Sequence, residues 1–154
     1  MRASRLALLL ILLATGTAHA HGRVGLGLQI GEPTALTLEL GLTGITALDL
    51  AVGLATFDRD LAYFHLQFVV FPVDLAGGRG SVDVPLYLGL GVAIYDTGQA
   101  FADDVKVAAR VPFGLAVEFH RVPLQLFLEL AIRLQLVDDT DVDLDPSFGF
   151  RWFF

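Results

Sequence analysis

From Arg23 to the last residue, apolar side chains return at every second position, the period of a β-strand and not of a helix. Val24, Leu26, Leu28 and Ile30 share one face, and Arg23, Gly25, Gly27, Gln29 and Gly31 share the other. The same alternation runs through Leu36 to Leu42, Leu48 to Leu54, Phe64 to Val70, Leu86 to Ile94, Val111 to Val117, Leu124 to Leu134 and Phe148 to Phe154. It predicts eight strands. Gly, Pro and Asp, the residues that supply turn geometry, gather between them at Gly31-Glu32-Pro33, Thr43-Gly44, Asp58 to Asp60, Asp74 to Gly80, Asp96 to Asp104, His120 to Pro123 and Asp138 to Asp143. Eight strands of about 10 residues are long enough to cross a bilayer at a tilt of about 45° and still leave ample chain for seven connections.

The first twenty residues obey a different pattern. Arg2 and Arg5 precede the apolar run Leu6 to Ala14, and Ala18-His19-Ala20 offers small residues for cleavage. The run is too short for a spanning helix, so residues 1–20 are expected to be a cleavable signal peptide and residues 21–154 the folded domain. Without the leader the chain keeps eight basic residues against 17 acidic ones, a formal charge of −9, and Lys106 is its single lysine. That balance argues against nucleic acid, whose phosphates need clustered cations. The absence of cysteine excludes disulfides, thiolate metal sites and a cysteine nucleophile.

Alternation alone also fits a soluble barrel or sandwich. The composition of the two faces favours lipid: one is almost wholly Leu, Val, Ile and Phe, while the other is mostly Gly and Ala with a few charges of both signs. Such a second face suits the confined interior of an eight-stranded barrel better than a water-facing sheet. The inward charges are Arg23, Arg110, Arg133 and Arg151 against Glu39, Asp49, Glu118 and Glu129, with Asp83 at a strand entrance. Because unpaired buried charge is very costly, they are expected to form a structural network that fills the lumen. Antiparallel order gathers Arg151 and Arg23 with Glu39, Asp49 and Glu129 in an inner cluster, and places Arg110 and Arg133 toward the opposite end.

The chain ends Phe148-Gly-Phe-Arg-Trp-Phe-Phe154, with Phe150, Trp152 and Phe154 in alternation. This resembles the C-terminal strand of bacterial outer-membrane β-barrels, which implies recognition by the barrel-assembly machinery. Gly25 to Thr34, Thr46 to Leu50, Pro85 to Gly91, Arg110 to Leu115 and Asp143 to Arg151 resemble a family of small outer-membrane β-barrels of uncharacterised function. In size and layout the chain is also similar to barrels of the OmpA, OmpX and OmpW type. The resemblance implies location in the bacterial outer membrane and contact with its lipid and lipopolysaccharide, and it brings no catalytic residue with it.

Beyond the leader, Ser81, Ser147, His21, His65 and His120 are the only serines and histidines. Strand phase turns His65 inward, assigns Ser81 and His120 to connections and puts Ser147 at the start of the last strand, so no catalytic constellation is expected. The acidic run Asp138 to Asp145 lacks the Gly and the terminal Glu of a calcium loop. With Asp58, Asp60, Asp96, Asp103 and Asp104 it reads as a solvated acidic rim, with divalent bridging to lipopolysaccharide as the alternative.

The expectation is therefore an all-β, eight-stranded, antiparallel up-and-down transmembrane barrel. It is monomeric, has a structural or surface-interaction role, and holds no cofactor or metal. The alternative is a narrow channel or small-solute conduit. Inward Tyr63, Phe71, Tyr87, Phe127 and Phe153 argue for a plug, whereas inward Gly27, Gly53, Gly89, Gly91, Gly114 and Gly149 could leave gaps.

Overall fold

The computed structural model describes residues 24–55, 61–77, 80–96, 105–136 and 141–154. The expected leader, Arg23, Asp58, Asp60, Asp103, Asp104, Asp138 and Asp139 lie outside them. The strands are β1 (Val24–Gly31), β2 (Thr34–Thr43), β3 (Thr46–Ala55), β4 (Leu61–Asp74), the two-residue β5 (Val82–Asp83), β6 (Pro85–Asp96), β7 (Val105–Phe119), β8 (Leu124–Gln135) and β9 (Val142–Phe153). All pairings are antiparallel. Each long strand pairs with its neighbours in the chain, and β9 closes on β1, giving an eight-stranded barrel. Closure removes the free edges that an open sheet would expose.

β5 was not foreseen. It lies against the end of β7, with Val82 opposite Phe119 and Asp83 opposite Glu118. A second correction concerns β9, which begins at Val142 and not near Phe148. Pro146 hides this in the sequence, because it interrupts a dense acidic run. It is tolerated because the β1 ladder ends at Gly31 opposite Ser147, so no β1 strand residue needs the N–H that Pro146 lacks. Its carbonyl still accepts the Glu32 N–H at 2.8 Å. Asp143 and Asp145 thereby leave the acidic rim for the wall of the barrel. Asp96 leaves it too, as the buried last residue of β6.

The packing is inverted relative to a water-soluble domain. Ile30 is 70% exposed, Leu36 66% and Leu90 64%, while Arg110 and Asp145 are 0% exposed. The interior carries Gln29, Thr37, Glu39, Asp49, His65, Gln67, Gln125, Glu129, Arg133 and Arg151 among small alanines and a few aromatic rings. No helix among the described residues is long and apolar enough to cross a membrane.

The lumen as candidate functional site

The β-pleat sends alternate residues inward, and the register decides which of them meet. Toward the end that holds the termini, Arg151 is the hub. Its Nη1 donates to Glu39 Oε2 at 2.8 Å and Gln125 Oε1 at 3.0 Å, its Nη2 lies 2.7 and 2.6 Å from the two oxygens of Asp49, and its Nε donates to Thr37. Glu39 and Asp49 are direct cross-strand partners, so a single planar fork reaches both carboxylates. The guanidinium also lies 4.0 Å from the centroid of the Phe127 ring, in cation–π contact. Gln125 continues the network by donating to Glu118 at 3.0 Å.

Glu129 sits with a different arginine from the one expected. Arg151 is paired in register with Gln125, and Glu129 lies four residues further along β8, where Arg110 Nη2 meets it at 2.9 Å. Tyr87 and Gln67 donate to the same carboxylate at 3.1 and 3.0 Å. Gln67 also reaches Asp49 at 3.4 Å and accepts from Arg110, so it links the two clusters.

Further toward the loop-bearing end, Arg133 is 3.0 Å from Asp143 and both Arg110 and Arg133 approach Asp145 at 3.7 Å. Tyr63 donates to Asp145 at 3.1 Å. Tyr95, which lies beneath the Arg133 guanidinium, donates to Gln135 at 3.0 Å. Of the eight charged residues singled out from the sequence, seven lie among the described residues, and the network joins all of these. Asp143, Asp145, Gln125, Thr37 and Tyr63 are members that sequence reasoning missed. For the two aspartates the signal was present: Asp143, Asp145 and Ser147 stand in phase with Gly149 and Arg151, with Val142 and Leu144 on the opposite face.

Several interior glycines stand beside bulky side chains. Gly25 stands across the ladder from Phe153, Gly27 from Arg151, Gly53 from Tyr63, Gly89 from Val69, Gly91 from Gln67, Gly114 from Tyr87 and Gly149 from Phe127, whereas Gly41 faces only Ala47 among the described residues and lines the cavity described below. A Cβ on Gly149 would meet the Phe127 ring and the Leu28 carbonyl, and one on Gly114 would lie 2.6 Å from Tyr87 Cζ. The rings of Phe127 and Tyr87 occupy the space that a Cβ at Gly149 or Gly114 would need. Gly149→Val is therefore expected to overpack the lumen and cost about 1–3 kcal/mol in urea unfolding, with Phe127→Ala in the same chain recovering part of the loss. A full-strength Gly149→Val barrel would refute this fit.

At the end that holds the termini the lumen widens into a cavity of about 640 Å³, walled by Phe71, Val73 and Phe153 and edged by Asp74, Asp83 and Glu118. Here β5 brings together residues that the sequence had left apart. The His120 N–H donates to the Ser81 carbonyl at 3.0 Å, and His120 Nε2 lies 2.8 Å from Asp83 Oδ2. His65 and Ser147 belong to the lumen instead, His65 edge-on to Tyr63 with centroids 5.9 Å apart. Outside the barrel, Phe150, Trp152 and Phe154 are 42–46% exposed along one face of the terminal strand.

No protein-family model matches the sequence, and no curated protein is similar to it in sequence. Among solved structures, the barrel is similar to the N-terminal β-barrel domain of Pseudomonas aeruginosa OprF, with a TM-score of 0.54 and 9% identity over 84% of this chain and 93% of that one. The similarity is one of architecture, and with strand pairing and closure it shows the fold: a closed, eight-stranded antiparallel barrel.

Proposed function

We propose that the protein is a monomeric integral barrel of the bacterial outer membrane whose lumen is closed by its own side chains and whose role is structural or surface-interacting. The observation that carries this reading is the inversion of its faces. A continuous belt of Leu, Val, Ile and Phe is stable against hydrocarbon and unstable against water, and the ion pairs inside replace the hydration their charges have lost. The likeness to an outer-membrane barrel domain supports the location. With the termini on the periplasmic side, Phe150, Trp152 and Phe154 form the lower aromatic girdle and offer the terminal strand to the assembly machinery. The outward face then meets membrane lipid and lipopolysaccharide.

Three features support a plug over a channel: Gly114 and Gly149 are filled by Tyr87 and Phe127, those rings meet Glu129 and Arg151, and hydrogen-bonded layers follow one another along the lumen. The test is an electrophoretic comparison of unboiled and boiled membrane fractions, followed by planar-bilayer recording. Faster migration without boiling and no discrete conductance steps are expected. Steady unitary conductance would overturn the plug in favour of the conduit. Release into the soluble periplasmic fraction would overturn the membrane reading itself.

A further inference from the structure

We infer that the cavity at the end holding the termini is a binding site for a small organic cation, an ammonium or amidinium head on an apolar body. Its volume of about 640 Å³ is that of a small-molecule pocket. Its lining divides by chemistry. Ile45, Phe71, Val73 and Phe153 supply an apolar, partly aromatic wall, and Glu39, Asp74, Asp83 and Glu118 supply carboxylates; among the described residues no Lys, Arg or His side chain lines it. The wall is backed by packing: Ala47 and Phe71 belong to a cluster with Val69 and Tyr87, and the rings of Phe71 and Tyr87 lie 5.7 Å apart. The acidic side is held by β5, which sets Asp83 across the ladder from Glu118, and by Asp74, whose Oδ1 accepts the Val84 N–H at 2.8 Å.

The charge count calls for a cation at this place. Glu39 is 6% exposed and Asp49 1%, and both lean on the one guanidinium of Arg151, at 2.8 and 2.6 Å. One positive charge against two buried carboxylates leaves an excess negative charge, and buried charge without a counter-charge is costly. Of the two, Glu39 borders the cavity, so a cation bound there meets the carboxylate that shares its arginine. The same features narrow the ligand. Four carboxylates repel an anion. A bare metal ion would leave most of the volume empty, and no group of three or more acidic or histidine side chains among the described residues is placed to hold one. An organic cation uses both halves of the lining: its head meets the carboxylates and its body covers Phe71 and Phe153, whose rings also attract positive charge. The site lies on the terminal side of the Arg151 layer, so it goes beyond the reading of the barrel as a plug and stands whether or not the lumen conducts.

The test uses the full mature chain refolded in nanodiscs of zwitterionic lipid, with empty nanodiscs as the blank. It is titrated with benzyltrimethylammonium and with benzenesulfonate, which carries a like ring and the opposite charge. Saturable binding of the cation at one site, nuclear Overhauser contacts from its methyl groups to the Phe71 or Phe153 ring, and no binding of the sulfonate are expected. Glu118→Gln, which keeps an acceptor for Gln125, should weaken the cation about fivefold. Asp83→Asn should act in the same direction, each variant first being matched to the wild type in its unboiled migration. No saturable binding in the wild type, equal binding of the two probes, or unchanged affinity in both variants would overturn the site. Binding to Arg23→Gln but not to the wild type would overturn it as well, because the chain's own arginine would then be the occupant.

Discussion

Arg151→Leu is expected to lower the unfolding free energy by about 3–5 kcal/mol, because it leaves Glu39 and Asp49 buried side by side with no cation between them. The neighbouring Trp152, the only tryptophan, reports the urea transition by its fluorescence. A midpoint equal to that of the wild type would dismiss the cluster as a structural element. The cause of the loss can be separated from the loss itself. If unpaired charge is responsible, adding Glu39→Gln and Asp49→Asn to Arg151→Leu should return most of the stability, since removing a buried ionic set together costs far less than removing one partner. If the loss comes from the missing contact of Arg151 with the Phe127 ring, the triple variant should be no better than the single one.

The barrel was legible in the sequence for a simple reason. Alternation records which face of a strand each residue occupies, and eight such runs with turn residues between them leave few architectures. The contents of the lumen were only half legible, because alternation says nothing about register. The inward glycines were visible, but whether they left gaps depended on what stood across the ladder. The register sets Phe127 opposite Gly149 and Tyr87 opposite Gly114, which no reading of alternation could show. Register alone could not assign Glu129, since Arg151 pairs with Gln125 and Arg110 with Arg133, each four residues away; Arg151 turns to Glu39 and Asp49 across the lumen, and Glu129 meets Arg110. Asp145 was misjudged by composition: in a run of aspartates around a proline the turn signal outweighed the phase. The Asp83–His120 pair depends on a two-residue ladder too short to leave any periodicity.

Arg110→Leu should cost a similar amount, about 3–5 kcal/mol, for a related reason: Glu129 loses its ion-pair partner, while Tyr87 and Gln67 still donate to it. Arg110→Lys separates charge from shape. A lysine restores a cation near Glu129, but its single ammonium cannot also reach Gln67 and face Asp145 as the fork of Arg110 does, so a loss of about 1–3 kcal/mol is expected. Equal losses for Leu and Lys would mean that geometry alone matters. The two arginines should also be felt through each other. Gln67 accepts from Arg110 and donates to both Glu129 and Asp49, so freeing it at one end alters its alignment at the other. A double-mutant cycle between Arg110→Leu and Arg151→Leu should then give a coupling of about 0.5–3 kcal/mol, whereas separate clusters would add within about 0.5 kcal/mol. Gln67→Leu should abolish the coupling while leaving both arginines in place, the result expected if this glutamine links the two charge clusters.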